Sequence, residues 1–159
     1  MNRKQLEVYI DKYSQVAQSI MSSMNSIQKE IFKDSIITPD QFNLLNEINV
    51  RGTCTSSLLA KELNVKKSTI TAIVNRLVDK GLLNRIHKEN DRRFIILKLT
   101  EKGRGVLEGE RKNIFDKLAP LGYKLPVEEF ERVWANMLVI DEQLKNITKG
   151  MKINDKGIE

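Results

Sequence analysis

The stretch from Thr55 to Thr100 constrains the fold of this chain more than any other. Thr55 is a helix N-cap, and Leu58, Leu59, Ala60 and Leu63 follow it at helical spacing. The short helix they predict ends at a tight turn, Asn64-Val65. A second helix is predicted from about Lys67 to Lys80, with Ile70, Ile73, Val74, Leu77 and Val78 on one face. Lys67, Ser68, Thr71, Ala72, Asn75 and Asp79 fall on the opposite side. Gly81 is a C-terminal stop. Two strand-like runs come next, Leu83–His87 and Phe94–Leu99. The charged residues between them, Lys88 to Arg93, are read as the polar, basic tip of a hairpin.

The flanks are helical. Residues 4–33 carry apolar side chains at Leu6, Tyr9, Ile10, Tyr13, Val16, Ala17, Ile20, Met21, Met24, Ile27 and Ile31, alternately three and four apart. A helix of about thirty residues is roughly 45 Å long. One that long in a small chain needs a partner to cover it. Thr38, Pro39 and Gln41 make a capping box with proline at the first helical position. The helix they open carries Phe42, Leu44, Leu45 and Ile48 and ends near Arg51-Gly52. Thr100 caps a helix reaching to about Leu118, after which Pro120, Gly122 and Pro126 interrupt the pattern. A last helix is predicted from Val127 to about Thr148, with Phe130, Val133, Trp134, Met137, Leu138 and Leu144. Lys149 to Glu159 reads as a polar, frayed tail.

Composition narrows the function. One cysteine, Cys54, excludes an internal disulfide and argues against a cysteine zinc site. One histidine, His87, argues against a catalytic triad or a histidine-rich metal site. There is no phosphate-binding glycine loop and no nucleophile beside a base, so an enzyme is not expected, nor a cofactor. The longest apolar runs are four residues, whereas a spanning helix needs about twenty. The charged start, Met1-Asn2-Arg3-Lys4, is not followed by an apolar signal region. A cytoplasmic protein with no membrane partner is expected. The net charge of +6 is uneven: from Lys66 to Arg93 there are eight Lys or Arg against three acids, a net +5. A local basic block points to nucleic acid better than a high overall charge does.

Short helix, turn, second helix, basic hairpin is the order of a winged helix-turn-helix. The fold class is therefore mainly α with a small β-wing, flanked by long helices. A helix fits the major groove, where base edges display a unique pattern of donors and acceptors. Lys66, Lys67, Ser68, Thr69, Thr71, Asn75 and Arg76 supply the small hydrogen-bonding and cationic side chains such a helix needs. Ile70, Ile73, Val74 and Leu77 pack it on the preceding helix. The hairpin, with Lys88, Arg92 and Arg93, reaches a neighbouring minor groove, whose negative potential attracts arginine.

Residues 56–103, SSLLAKELNVKKSTITAIVNRLVDKGLLNRIHKENDRRFIILKLTEKG, resemble the DNA-binding region of the MarR family. Three local features carry the resemblance: KSTIT at 67–71, DRR at 91–93 and LTEKG at 99–103. It implies a homodimer whose first and last helices intertwine, a repressor role, and a pseudo-palindromic double-stranded operator. It divides the chain into an N-terminal dimerisation helix (1–35), a winged helix-turn-helix (36–103), C-terminal dimerisation helices (104–148) and a polar tail (149–159). It also implies that Asp91 orients an arginine of the wing; the pattern Asp, any residue, Arg favours Arg93, with Arg92 left open. Two positions depart from the family. Lys66 stands where a capping serine is common, and Ala72 where a basic residue is common.

Some relatives are released from DNA by a small aromatic ligand or an oxidant. Tyr9, Tyr13, Met21 and Met24 are candidates to line a ligand pocket, although dimer core is the simpler reading. Cys54 is a candidate redox sensor, weighed against a small, semi-buried residue with Arg51 as its one cationic neighbour. His87 is weighed as a pH reporter against a phosphate neighbour or plain surface. A winged-helix module that binds protein instead of DNA is the alternative function, and the basic recognition face argues against it.

Overall fold

A computed structural model of the chain describes the backbone of residues 2–88 and 91–155, and the side chains of 2–87, 95–148, 150 and 151. The elements run α1 (Arg3–Ile31), α2 (Pro39–Arg51), α3 (Ser56–Glu62), α4 (Lys67–Asp79), β1 (Leu83–Lys88), β2 (Asp91–Leu99), α5 (Glu101–Tyr123) and α6 (Val127–Asp155). The chain divides into two compact units, Met1–Lys117 and Leu118–Glu159.

The core of the first unit is built from the apolar faces read in the sequence. Leu44, Leu45 and Ile48 of α2 meet Leu59 of α3 and Ile70, Val74 and Leu77 of α4. Leu83, Leu97 and Leu99 close it from the hairpin, and Leu107 from α5. Ile70, Leu77 and Leu97 are completely buried. Each such side chain contributes about 1.5–3 kcal/mol on leaving water. β1 and β2 are antiparallel, with Leu83 opposite Leu99, Arg85 opposite Leu97 and His87 opposite Ile95.

Caps set the helix starts. The Thr38 hydroxyl accepts from the Gln41 N–H at 3.3 Å, and the Gln41 side chain accepts from the Thr38 N–H at 3.2 Å. The Thr100 hydroxyl accepts from the Gly103 N–H at 2.9 Å and donates to the Gly81 carbonyl at 2.8 Å. One side chain thus starts α5 and ties it to the turn after α4. Gly103 permits the approach: a Cβ there would lie 2.1 Å from the Leu82 carbonyl oxygen. These contacts are the physical content of the LTEKG stretch.

Four expectations need correction. The charged hairpin tip is shorter than predicted, because β2 begins at Asp91 and Lys88 pairs with Asp91. Only positions 89 and 90 separate the strands, the length that hairpins favour. Arg92 and Arg93 are strand residues, where the register shifts between His87 and Lys88. Cys54 is buried, not semi-buried: in the α2–α3 connection it forms an isolated bridge with Leu97, its N–H donating to the Leu97 carbonyl at 3.2 Å and its carbonyl accepting at 2.8 Å. Pro120 does not end α5, which runs to Tyr123. A proline removes one backbone donor and crowds the carbonyl four residues back; in the last turn this breaks one link of the ladder without ending it. Finally, α6 continues beyond Thr148 to Asp155. That stretch holds no proline, and its one glycine lowers helix stability by only about 1 kcal/mol.

Candidate nucleic-acid interface

The α3–α4 pair is fixed by its turn. Asn64 adopts φ 52°, a left-handed conformation that asparagine tolerates better than most residues. The Val65 N–H donates back to the Ala60 carbonyl at 3.0 Å, closing α3. At the far end of α4, Gly81 adopts φ 70°. Its N–H reaches the Val78 carbonyl at 2.8 Å, while the Leu82 N–H reaches the Leu77 carbonyl at 2.9 Å. This pair of bonds is a Schellman cap, and it delivers the chain directly into β1.

Between these ends α4 is divided cleanly. Ile70, Val74 and Leu77 are buried, and Ile73 and Val78 pack against them. Lys67, Ser68, Thr69, Thr71, Ala72, Asn75, Arg76 and Asp79 are exposed, as is Lys66 just before the helix. The sequence-predicted recognition residues are therefore brought together on one solvent-facing surface. Ser68, Thr71 and Asn75 fall within two turns on one line, since residues three and four apart are neighbours. The Thr71 hydroxyl donates to the Lys67 carbonyl at 3.0 Å, so its oxygen is left as an acceptor. Lys66 occupies the N-cap and makes no side-chain cap bond. The first N–H groups of α4 consequently keep their positive end toward solvent, beside two lysines, where an anion is favoured.

Not every cation of the basic block faces outward. The Lys80 ammonium donates to the Ile36 carbonyl at 2.5 Å and to the Gln41 side chain at 3.1 Å. It ties the end of α4 to the α1–α2 connection and satisfies buried Gln41. Arg85, counted in the basic block but not among the predicted contacts, donates from Nη2 to the Asn75 Oδ1. Its sequence signal was faint: a single arginine in a strand-like run. The side chains of Lys88, Asp91, Arg92 and Arg93, the expected wing contacts, lie outside the described residues. Among the described residues, no group of three or more His, Cys, Asp or Glu side chains could hold a metal ion.

The profile of the MarR family matches residues 37–95, the segment from the buried Ile37 through most of the hairpin. A solved MepR-like protein, complexed with pseudoligands, is 32% identical; 87% of this chain superposes on 95% of that one, with a TM-score of 0.64. The chain belongs to the MarR family. The HTH-type transcriptional repressor MdtR of Bacillus subtilis is 32% identical over 93 residues, 57% of this chain and 60% of MdtR. This chain thus aligns with about three fifths of that curated MarR-family relative. A solved mutant of MarR from E. coli, complexed with operator DNA, matches at a TM-score of 0.70 over 83% of this chain and 95% of that chain, with 24% identity. At that identity the likeness concerns the fold.

Tyr9, Tyr13, Met21 and Met24 lie on α1 with 61, 43, 65 and 38% of their surface exposed. A cavity of about 400 Å³ opens at the other end of α1, and it is polar: Glu30, Asp34, Ser35, Glu110, Asn113 and Lys117 help line it. Glu110 is buried there, held by the Ser35 hydroxyl and by the Asn113 amide at 3.2 Å. Cys54 is buried, and desolvation pushes its thiol pKa up while Arg51 pulls it down. Thiolate is the reactive form, so this environment disfavours reaction with oxidants. Arg51 is itself engaged by Glu47 at 3.0 Å and Glu62 at 3.1 Å. His87 is exposed on β1.

Proposed function

We propose that this protein is a sequence-specific regulator of transcription that binds double-stranded DNA as a homodimer and acts as a repressor released by a small ligand. The observation that carries the reading is the division of α4: its apolar face is consumed by the core, and its other face displays Lys67, Ser68, Thr71, Asn75 and Arg76 to solvent. A helix so mounted, followed at once by a basic hairpin, offers a major groove hydrogen-bonding side chains and a backbone cations. The operator-bound relative and the family match support the same reading.

The homodimer is supported by α1 and α6, each considered alone. No residue of α1 is buried, and its apolar stripe includes Ile10, Val16 and Ile20 at 52, 58 and 51% exposure. On α6, Trp134, Met137 and Leu138 are more than half exposed. A second copy would remove these stripes from water. A two-fold dimer would then place two α4 helices on half-sites roughly 34–36 Å apart. Release by ligand is favoured over release by oxidant, because Cys54 is buried and desolvation pushes its thiol pKa up. The MepR-like relative, complexed with pseudoligands, supports the ligand route. Tyr9, Tyr13, Met21 and Met24 belong first to the surface a second copy covers.

The test is selection of bound sequences from a random duplex library at two salt concentrations. The expected result is an inverted repeat with half-sites about one turn apart, bound more weakly as salt rises. Salt-sensitive binding without enrichment, or no binding, would overturn the reading and leave the protein-interaction module.

A further inference from the structure

We propose that Asn75 and Arg85 form one reading unit that presents an excess of hydrogen-bond donors to the major groove, and that Arg85 thereby sets a preference for guanine at one position of each half-site. The inference rests on the DNA-binding reading above and specifies what part of that surface recognises.

The geometry starts in the hairpin. Leu83 and Arg85 are two apart on β1, so their side chains leave the same face of the sheet. Leu83 is buried in the core beneath α4, and Arg85 emerges to solvent beside that helix. From there its Nη2 donates to the Asn75 Oδ1. The assignment of oxygen and nitrogen in the amide is not arbitrary. A guanidinium has five donors and no acceptor, so only the amide oxygen can face it. Asn75 keeps its Nδ2, two N–H donors, and one lone pair on Oδ1, while the rest of the Arg85 guanidinium sets further donors beside that oxygen.

That arrangement changes what Asn75 reads. A free asparagine reads adenine with both ends of its amide: the oxygen accepts from N6–H while the nitrogen donates to N7. Here adenine's amino group would have to share the Oδ1 with the guanidinium, as a second donor beside a cation, and that half of the pair is weakened. Cytosine shows the groove only a donor, N4–H, and suffers the same conflict. Guanine displays two neighbouring acceptors, O6 and N7, and matches a donor-rich unit. Thymine, with the single acceptor O4, is second. Asn75 also shares its helix line with Ser68 and Thr71, so it lies on the face offered to base edges. Arg85 acts here as a positioning residue, through the amide it holds.

The test compares the wild-type chain with Arg85→Ala, Arg85→Lys and Asn75→Asp by the same library selection, followed by binding to single-base variants of the selected site. Both positions are exposed, and melting by circular dichroism checks that each variant folds. In the wild type, replacing the guanine by adenine at one symmetric position is expected to weaken binding about tenfold. Arg85→Ala frees the Oδ1 and shifts that position toward adenine, with the other positions unchanged. Arg85→Lys still donates and restores guanine. Asn75→Asp keeps the acceptor for Arg85, loses both amide donors and abolishes the guanine preference. A uniform loss of affinity in Arg85→Ala with guanine still preferred would make Arg85 a backbone contact and overturn the inference. So would a selected half-site in which no position responds to Asn75→Asp. Those results would leave the regulator reading intact, whereas a wild-type chain that enriches nothing would overturn both.

Discussion

Helices α1 and α4 are both amphipathic, and they end in opposite situations. In α4, thirteen residues long, Ile70 and Leu77 are 0% exposed. In α1, twenty-nine residues long, no side chain is buried, and Ile20 stays 51% exposed. The caps are reversed as well. α1 opens with a complete capping box between Asn2 and Gln5, at 2.9 and 3.1 Å, whereas α4 opens on Lys66 with no side-chain cap. Amphipathicity says that a face needs covering, not what covers it. The chain itself covers α4, so the open side of that helix is the one free to work. Among the described residues of the first unit nothing buries the stripe of α1, so its apolar side is the one the proposed second copy would cover. The uncapped start of α4 fits a helix end that a phosphate would complete.

Three changes would break or sharpen this contrast. Leu77→Ala, in the covered face of α4, is expected to lower stability by about 2–5 kcal/mol, read from urea denaturation. A loss below about 1 kcal/mol would mean that α4 is less firmly seated than its burial indicates. Ile20→Asp, in the open face of α1, puts an unpaired charge where a second copy would pack. A penalty of about 3 kcal/mol raises the dimer Kd roughly a hundredfold. Analytical ultracentrifugation should then find the single-chain mass at concentrations where the wild type is dimeric; an unchanged mass would remove α1 from the interface. Lys66→Ser has the smallest effect and two opposite signs. It restores a cap and is expected to stabilise the fold by about 1 kcal/mol, while DNA binding loses one phosphate contact per subunit and the log–log salt slope of the dimer falls by about 2. Unchanged salt dependence would show that Lys66 touches no phosphate.

The helix-turn-helix was legible because its signals are local. Thr38, Thr55 and Thr100 mark starts, Gly81 marks a stop, and the period of Ile70, Val74 and Leu77 assigns a face, all within a few residues of the structure they specify. The exposed face of α4 followed from the same periodicity. Misreadings arose where a local signal was weaker than the bonds around it, as at Pro120 and at Lys149–Asp155, both of which stay helical. At the hairpin the charged run looked like one turn, yet backbone pairing carried the strands into it as far as Lys88 and Asp91.

The sequence by itself determined the order of elements, their inward faces and the basic character of the segment from Lys66 to Arg93. Those properties depend on residues two to four positions apart, which a strand (two) or a helix (three or four) brings to one face. Tertiary structure alone decided which cations remain outward and what each polar group meets. Lys80 is turned inward to Ile36 and Gln41, Cys54 is drawn into a bridge with Leu97, Gly103 is pressed against Leu82, and Arg85 is laid on Asn75. Each of these pairings joins residues ten or more positions apart, on different elements. Only the packing of the core fixes the distance between such groups, and a hydrogen bond formed at about 3 Å is lost within another ångström.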